Sequence, residues 1–411
     1  MFNLDYMASL RIWNFKRLLS EKYDVVVTNP PYMGGKGQSG IVTEFLKDNF
    51  PDTKSDTFSA FIEQCGHLCK RHGYIGMFTP YVWMFIQSYE KLRKMVCYGK
   101  DIVTLIQFEY SAFEEATVPV CTFVLRNIKT SSSGEYLRLV DYRGGMEVQR
   151  LKTLEAISNP NCGYRYTATV NNFSKIPGMP ISYWASENLI KAFEIGTRMD
   201  EIVNPKQGLA TADNDRFLRY WWEVDINKIK FNAKSRDEAV ESRRKWFPYN
   251  KGGPYRRWYG NYDYVVNWEN DGHEIRNFTD DKGKQRSRPQ NTDFYFQEAI
   301  TWPLITSGGS SVRLRKHGSI HDVSGMSAFT SNKELMLYII GLLNTKIGDL
   351  VLKILNPTLN SQVGDFQNIP VIIDNDKLSY SLGFISSSVY SAKDDWDNNE
   401  MSWDFERFHL T

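Results

Sequence analysis

Four consecutive residues, Asn29-Pro30-Pro31-Tyr32, combine groups that could position an amine for reaction. They follow the apolar run at 24–28 and precede a glycine-rich loop at 33–40. β-Branched residues bounded by proline and glycine predict a buried parallel strand that ends in a tight turn. The two prolines fix φ and remove two backbone donors, so the carbonyl groups of Asn29 and Pro30 would be rigid. Open α/β sheets bind ligands at this carboxyl end of their strands.

The chemistry that suits this motif is attack by an exocyclic amine on an electrophilic methyl group. In an adenine the lone pair of N6 is delocalised into the ring, which makes the amine a poor nucleophile. The side-chain oxygen of Asn29 and the carbonyl of Pro30 could accept its hydrogens and localise the lone pair. Tyr32 could stack on the base, which must first leave the duplex. The alternative for these four residues alone is a Pro-Pro turn that only closes a strand.

With its preceding strand, the motif resembles motif IV of the amino-group DNA methyltransferases that modify adenine. Residues 22–33 together with 54–58 resemble the large PglX-type methyltransferases of BREX phage-defence systems and, more distantly, the type IIG (Eco57I-like) restriction-modification enzymes. The resemblance is strongest at 22–126 and 207–365 and corresponds to the C-terminal portion of such an enzyme. It implies a site-specific adenine-N6 DNA methyltransferase that uses S-adenosylmethionine (AdoMet).

The resemblance also implies a second aromatic residue at the target base. In the family, motif VIII lies before the fourth strand and supplies a ring to the other face of the base. Phe113 matches that position, so Tyr32 and Phe113 would hold the adenine between them. The alternative is that Phe113 is an ordinary core residue.

Hydrophobic periodicity predicts alternating strands and helices over the first third of the chain. Strands are expected at 24–28, 74–80, 102–108 and 118–125, and helices at 1–22, 58–69 and 88–96. This order is typical of an α/β, Rossmann-like doubly wound parallel sheet. The strand at 118–125 is expected to pair with one near 136–140.

The predicted sheet is incomplete at its N-terminus. In the family, two βα units that carry a Gly-rich AdoMet loop and an acidic residue precede the Asn-Pro-Pro-Tyr motif, and the 28 residues before Asn29 are too few for them. The loop at 34–40 lacks the spacing of a dinucleotide or phosphate loop. We therefore expect a fragment that is inactive alone, with unknown AdoMet-binding residues.

The linker-like composition at 170–180, together with the resemblance, divides the chain into four predicted segments. Residues 1–150 would be the C-terminal half of the methyltransferase catalytic domain, and 151–190 a linker. Residues 191–370 would form an α+β target-recognition domain that binds double-stranded DNA. Residues 371–411 would be an acidic, aromatic tail, either solvated or used for docking.

Basic and aromatic residues alternate in the predicted target-recognition domain, at 243–251 and 256–259. Such patterns suit phosphate contacts beside stacking surfaces, although charge runs are more often solvated faces. Segments 207–217, 307–313 and 356–364 resemble conserved blocks of the family. The predicted DNA-binding residues are Thr211, Asn214, Arg216, Arg243, Arg244, Lys245, Lys251, Arg256, Arg257 and Arg313.

The composition indicates a cytoplasmic protein with room for two domains. The 411 residues carry a formal net charge of +2, so any basic surface must be local. Five cysteines without a CxxC pair predict reduced thiols, and we expect no membrane span. His317 and His321 have helical metal spacing, but no carboxylate-histidine cluster accompanies them, so no metal is expected.

A second hypothesis belongs to another class of protein. The chain would be a non-catalytic DNA-binding specificity module that needs a partner chain to bring AdoMet. Either hypothesis expects double-stranded DNA as a partner, together with an N-terminal partner chain or other phage-defence proteins. A nuclease-methyltransferase fusion lacks support, because no metal-binding Asp…Glu-x-Lys pattern follows a predicted strand.

Overall fold

The computed structural model describes residues 2–110, 112, 118–305, 309–357 and 360–407. The chain forms two compact units, Met1–Glu194 and Ile195–Thr411.

The first unit contains six strands and seven helices within the described residues. They are α1 (Phe2–Ser20), β1 (Tyr23–Thr28), α2 (Gly40–Asn49), α3 (Thr57–Leu68), β2 (Cys69–Pro80), α4 (Glu90–Gly99), β3 (Asp101–Gln107), β4 (Val120–Arg126), β5 (Ser133–Arg138), α5 (Gly145–Ser158), β6 (Arg165–Thr169), α6 (Val170–Phe173) and α7 (Glu187–Ile195), whose last residue belongs to the second unit.

The strands of this unit form one mixed sheet in the order β1-β2-β4-β3-β5-β6. The predicted α/β class is confirmed, but the expected all-parallel arrangement is wrong. β1 runs parallel to β2, and β3 runs parallel to β5. β4 lies between β2 and β3 and is antiparallel to both. The predicted pairing of the 118–125 strand with the strand near 136–140 is therefore also wrong, because both edges of β4 already have partners.

Helices α3 and α4 cover one face of this sheet. Their apolar side chains, including Phe58, Ile62 and Leu92, pack with Ile75 and Phe123 of the strands in one buried cluster. The helical spacing of residues 58, 62 and 65 produces this face of α3. The carboxyl end of β1 therefore belongs to a sheet that has helices packed against one face.

Strand β1 is less buried than its apolar sequence predicts. It pairs with β2 on one side, and the side chains of Val25 and Val27 are 59% and 74% exposed. Only Val26 packs against the core cluster. The prediction of a buried parallel strand is thus half right, because the strand is parallel but lies at the edge of the sheet with one face uncovered.

Residues 151–190, predicted as a linker, lie inside the first compact unit. They include the end of α5, all of β6, which pairs with β5, and α6. Ile181 and Tyr183 are buried in the main core cluster. The glycine- and proline-rich composition near 178–180 marks a loop that crosses the core rather than a boundary, and the division falls at 194–195.

The second unit contains ten strands and eight helices within the described residues. They are β7 (Thr197–Arg198), α8 (Met199–Ile202), β8 (Asn204–Lys206), α9 (Asn214–Phe217), β9 (Leu218–Tyr220), α10 (Arg236–Glu241), β10 (Trp246–Asn250), β11 (Tyr264–Asn267), α11 (Glu269–Arg276), β12 (Ala299–Pro303), β13 (Arg313–Arg315), β14 (Ile320–His321), β15 (Gly325–Phe329), α12 (Lys333–Leu343), α13 (Lys346–Leu355), α14 (Val363–Gln367), β16 (Pro370–Val371) and α15 (Asn375–Asp397).

Two four-stranded sheets organise this unit, in the orders β14-β10-β11-β9 and β13-β12-β15-β8. A short pair, β16 and β7, brings the chain near residue 370 back beside the start of the unit. A buried cluster around Phe247, Val266 and Trp268 lies beside the first sheet. The mixture of short strands and helices has the α+β character predicted for this region.

The segment predicted as a tail, 371–411, is largely a long helix of this unit. Trp396 of α15 is buried with Tyr259 and Tyr262, and Trp403 packs against this cluster. The indole of Trp221 donates a hydrogen bond of 2.9 Å to the carbonyl of Met401. The aromatic residues near the chain end therefore serve packing within the second unit.

Within the described residues, no single helix is long and apolar enough to cross a membrane, whereas α12 and α13, bent by 79°, pass that test of length and composition as a pair.

The buried guanidinium of Arg93 yields a test of the packing of residues 151–190. It donates hydrogen bonds of 2.7–2.9 Å to the carbonyl oxygens of Trp83, Ile86 and Gly178, and burial lowers the pKa of Arg93 to about 10. Arg93→Met should lower the free energy of unfolding by about 3 kcal/mol, because buried acceptors lose their donors. Urea denaturation measures the loss.

Lys91→Met is the matched control, since Lys91 lies on the same helix and pairs with Asp52 on the surface. Its cost should stay below about 1 kcal/mol. Equal losses in the two variants would contradict the role assigned to Arg93.

Candidate functional site

The Asn29–Tyr32 motif follows β1 directly, at the carboxyl end of the strand. Asn29 and Pro31 are exposed, whereas Pro30 is buried. Within the described residues, no hydrogen bond reaches the Pro30 carbonyl, while the Pro31 carbonyl accepts one of 2.6 Å from the Thr57 hydroxyl. The motif thus lies at the predicted edge of the sheet, with two acceptor groups on adjacent residues.

The hydroxyl of Tyr32 connects the motif to strand β2. It lies 3.0 Å from Oδ1 of Asn29 and 3.1 Å from the Phe78 carbonyl, and its single hydrogen can be donated to either. The edge of the Tyr32 ring packs on Phe58. Burial is the main cause that raises the pKa of Tyr32 to about 12, so the hydroxyl stays a donor at neutral pH. The side chain is nonetheless 37% exposed.

Asp56, the residue that caps α3, fixes the loop after the motif. Its carboxylate accepts hydrogen bonds from the backbone N–H groups of Met33 (2.8 Å) and Phe58 (3.3 Å). The Thr57 N–H also donates to the Met33 carbonyl at 3.3 Å. Asp56 is the N-cap of α3, and its contact with Met33 was not predicted, since a capping pattern is local to its own helix.

This arrangement can bind an amino group through its hydrogens. A carbonyl oxygen has two lone pairs, so Asn29 can keep the Tyr32 hydroxyl and still accept a further N–H. The Pro30 carbonyl offers a second acceptor one residue away. Because Asp56 and Thr57 hold the chain on both sides of Tyr32, the acceptors need little reorganisation to bind such a group.

The second predicted aromatic residue of the site, Phe113, lies outside the described residues. Phe78 of β2 lies beside the motif. The Phe78 ring lies 6.2 Å from that of Phe108, and the Phe78 carbonyl is the one that Tyr32 contacts. The proposed stacking role of Phe113 stays a prediction.

Two of the predicted DNA-binding residues have buried side chains that form hydrogen bonds within the second unit. Arg313 is fully buried, and its guanidinium donates to the carbonyls of Gly252 and Arg256. Thr211 is buried, and its hydroxyl donates to Oδ1 of Asn214 at 2.6 Å. Asn214 itself is exposed at the start of α9. The prediction of a surface role is thus wrong for Arg313 and Thr211, because basic or polar type alone does not fix exposure.

Three further predicted cations have carboxylate partners. Arg216 pairs with Glu274 at 2.8 Å, Arg256 with Asp395 at 3.2 Å and Arg257 with Asp349 at 3.5 Å. All three pairs retain exposed surface, so each is worth little in stability. A phosphate would have to compete with these carboxylates for the guanidinium groups.

The remaining predicted cations lie at the two ends of β10. Arg243 and Arg244 are exposed before the strand, beside Lys245, whose ammonium lies 5.8 Å from the Trp246 ring. Lys251 follows the strand, six residues after Lys245, which is about 20 Å at the usual rise of a strand. The basic residues of the 243–251 segment therefore lie in two groups.

A stack of aromatic rings, which sequence reasoning missed, accompanies Lys251. Tyr220 stacks on Trp222 with ring centres 4.7 Å apart and on Tyr264 at 4.8 Å. The Lys251 ammonium lies 5.3 Å from the Tyr264 ring. Trp222 and Tyr220 are partly exposed. Only the antiparallel pairing of β9 with β11 brings these rings together, since 44 residues separate Tyr220 from Tyr264.

The two histidines with helical metal spacing do not converge. His317 is exposed, whereas His321 is fully buried on β14. Burial, followed by the charge of Arg315, lowers the pKa of His321 well below its usual value. Among the described residues, no group of three or more His, Cys, Asp or Glu side chains could hold a metal ion.

Comparison with known proteins identifies several that resemble this chain in sequence. Residues 4–113 match the family described as the Eco57I restriction-modification methylase. The chain is 36% identical over 395 residues to the adenine-specific methyltransferase PglX of Lacticaseibacillus casei (strain Zhang), covering 95% of this chain and 32% of that protein. It is also 36% identical to the adenine-specific methyltransferase BrxX of Escherichia coli O9:H4 (strain HS), covering 96% of this chain and 31% of that protein.

The chain is thus similar in sequence to two adenine-specific methyltransferases, PglX and BrxX. The predicted resemblance is confirmed, and the chain spans about a third of the length of these relatives. The type IIL restriction-modification enzyme MmeI, solved in complex with DNA, has a similar fold with a TM-score of 0.54 at 12% identity, over 92% of this chain and 51% of that chain.

The hydrogen bond between the Met33 N–H and Asp56 can be tested by a measurement that does not depend on catalytic activity. Asp56→Ala removes the acceptor of the Met33 N–H and the N-cap of α3, which is worth about 1 kcal/mol. Hydrogen exchange at residues 29–36 should therefore become about five-fold faster. Peptide-level or NMR exchange measures it.

Asp52→Ala supplies the control, because this nearby carboxylate pairs with Lys91 and makes no described contact with the motif. It should leave the exchange of residues 29–36 unchanged. Unchanged exchange in Asp56→Ala as well would refute the assigned contact.

Proposed function

We propose that this chain is part of a site-specific adenine-N6 DNA methyltransferase that uses AdoMet in phage defence or restriction-modification. The observation that carries the proposal is the Asn29–Tyr32 turn, fixed at the carboxyl end of β1 with acceptors on adjacent residues. The 36% identity to two named adenine-specific methyltransferases supports the same chemistry. Since its substrates are DNA and AdoMet, the protein would act in the cytoplasm.

In the proposed reaction, the chain's own residues prepare the amine. The Asn29 oxygen and the Pro30 carbonyl accept the two hydrogens of adenine N6, so that its lone pair points away from the ring system. Tyr32 contacts the face of the extruded base. AdoMet, when bound, supplies the electrophilic methyl group. Once N6 has accepted the methyl group, it would lose one proton to solvent or a nearby acceptor.

The loop after the motif does not fit as the AdoMet site. Gly37 N–H donates to the Gly34 carbonyl at 2.8 Å, and the Gln38 side chain donates to the Met33 carbonyl at 2.9 Å. The loop thus closes partly on itself, and it lacks the spacing of a dinucleotide- or phosphate-binding loop. We infer that other residues hold the cofactor.

We propose that an upstream segment or a partner chain supplies the cofactor site by completing the sheet beside β1. The exposed Val25 and Val27 on this edge strand support the proposal, because a paired and covered strand would bury them. The exposed apolar residues of α1, among them Trp13 and Phe15, provide further surface for such a contact. Contacts with other phage-defence proteins are part of the same proposal.

Asn29→Ala should abolish methyl transfer in the active assembly and leave DNA affinity nearly unchanged. One preorganised polar group at a reacting centre is worth about 10²–10³-fold in rate. The measurement is transfer of labelled methyl from AdoMet to mixed-sequence DNA, with the product identified as N6-methyladenine.

Asn49→Ala is the matched control, because Asn49 is an exposed asparagine at the end of α2, away from the turn. It should retain wild-type turnover. Wild-type turnover by Asn29→Ala would contradict the role proposed for the motif in the reaction.

The second candidate is a non-catalytic DNA-binding specificity module that serves a separate catalytic chain. The exposed Arg243 and Arg244 and the stacked rings beside Lys251 favour a DNA-contacting role for the second unit. Label transfer by the purified chain alone discriminates the candidates. Transfer would favour the enzyme, whereas DNA binding without transfer would favour the module or an incomplete enzyme.

The double change Arg243→Ala and Arg244→Ala should weaken DNA binding and make the affinity less dependent on salt concentration. Each lost phosphate contact reduces the slope of log K against log salt by about 0.9, so the double variant should lose about 2. Fluorescence anisotropy between roughly 50 and 200 mM salt gives the slope.

Lys377→Ala, which removes an exposed lysine already paired with Asp374, should leave the slope unchanged. An unchanged slope in the double variant would show that this patch does not contact the phosphates.

A further inference from the structure

A turn in the second unit carries a group of cations that lies outside the DNA-binding residues predicted from the sequence. Residues 278–288, which we call the basic ribbon, contain four exposed cations, namely Lys282, Lys284, Arg286 and Arg288. None of the four forms an ion pair with a described residue, whereas three arginines of the surrounding elements do: Arg216, Arg236 and Arg276. The charges of the basic ribbon are therefore available to an anionic partner.

Hydrogen bonds fix the turn of the basic ribbon. Thr279 and Gln285 pair in an antiparallel bridge. The carboxylate of Asp280 accepts the backbone N–H groups of Lys282 and Lys284 at 3.0 and 2.9 Å. The lysines therefore project from a turn with a defined backbone, and little further ordering is needed when an anion binds beside them.

The second arm of the basic ribbon is extended and packed on the unit. Ser287 is buried, and its hydroxyl donates to a carbonyl of α11. Arg288 exchanges backbone hydrogen bonds of 2.8 and 3.0 Å with Ala210. Since alternate residues of an extended chain lie on one face, Lys284, Arg286 and Arg288 form a row on the face opposite to Ser287.

The spacing of this row suits the phosphates of DNA. Neighbouring cations are two residues apart, which is about 7 Å at the usual rise of a strand, and the row spans about 13 Å. Phosphates recur about every 3.4 Å of helix axis along each strand of a duplex, so several lie within reach of the row. The acidic residues of the ribbon, Asp280 and Asp281, precede the row and do not interrupt it. Arg286 is further held by the Phe278 ring, 5.0 Å from its guanidinium.

The exposed Arg243 and Arg244 lie near the other end of the same helix. The Lys245 carbonyl accepts the N–H of Trp268 at 3.0 Å, directly before α11 begins. The basic ribbon begins two residues after α11 ends. Two groups of exposed cations thus flank one helix, which extends the basic surface of the second unit.

We propose that the basic ribbon lies along the sugar-phosphate backbone of duplex DNA, with Lys284, Arg286 and Arg288 each at one phosphate. Contacts of this kind fix the register of a protein on the duplex and carry no sequence information. The inference rests on the proposed function, because it assumes that the second unit contacts DNA, and it assigns an element that makes the contact. The alternative is a solvated charge run that has no effect on DNA binding.

Replacement of the row by glutamine tests the assignment. Lys284→Gln, Arg286→Gln and Arg288→Gln are combined in the full chain, and fluorescence anisotropy measures binding to mixed-sequence duplex DNA between roughly 50 and 200 mM salt. The slope of log K against log salt should become shallower by about 2.7, since each phosphate contact contributes about 0.9. The loss of affinity should be similar for duplexes of different sequence.

A single change guards against a triple variant that fails to fold. Lys284→Gln removes a charged group that forms no hydrogen bond or ion pair with a described residue, and it should make the slope shallower by about 0.9. Thermal denaturation identifies the variants that are folded. A folded Lys284→Gln variant with the wild-type slope would contradict the contact assigned to this lysine.

Two control variants separate the position of the charges from their number. Arg286→Lys combined with Arg288→Lys keeps the cations of the row and should keep the wild-type slope. A second triple variant removes three exposed lysines from α13 and α15 of the same unit, through Lys346→Gln, Lys353→Gln and Lys377→Gln. It lowers the net charge by the same amount and should leave the slope unchanged.

Each outcome decides the assignment. A shallower slope in the glutamine variants of the row alone supports it. An unchanged slope in these variants, or an equal change in either control, overturns the role of the basic ribbon and leaves the proposed methyltransferase standing. Absence of DNA binding by the wild-type chain overturns that role together with the DNA contact proposed for the second unit.

Discussion

The carboxylate of Asp56 is the contact on which the candidate active site depends. It caps α3 and holds the Met33 N–H at 2.8 Å, while Thr57 holds the Pro31 carbonyl. Two prolines leave the turn few backbone donors of its own, so the Thr57 hydroxyl donates to the Pro31 carbonyl and the Asp56 carboxylate accepts the Met33 N–H. The packed core beneath α3 then fixes the turn relative to β1, which is the preorganisation that amine activation requires.

The second unit contains both buried and exposed arginine residues, which the sequence alone does not distinguish. Arg313 and Arg315 are buried and donate to backbone carbonyls, and burial lowers the pKa of each to about 10. Arg243 and Arg244 are exposed at the start of β10. A buried guanidinium stabilises loops by satisfying their carbonyls, whereas an exposed one can exchange water for phosphate. Charge composition therefore says little about binding until burial is known.

Much of the fold could be predicted because the relevant signals are local. The apolar face of α3, the cap at Asp56 and the strand before Asn29 follow from spacing over a few residues. The order of the sheet could not be predicted, because β4 inserts between β2 and β3 and changes every neighbour of those strands. The linker prediction was wrong for the same reason, since Ile181 and Tyr183 are buried by residues far away in sequence.

By itself, the sequence determined the Asn-Pro-Pro-Tyr motif at a strand end, the α/β class of the first unit and the relation to PglX-type methyltransferases. The tertiary structure decided that β1 is an exposed edge, that Asp56 holds Met33, and that Tyr220 stacks between Trp222 and Tyr264. Motif and periodicity are properties of neighbouring residues, whereas pairing, exposure and convergence depend on contacts between segments tens of residues apart.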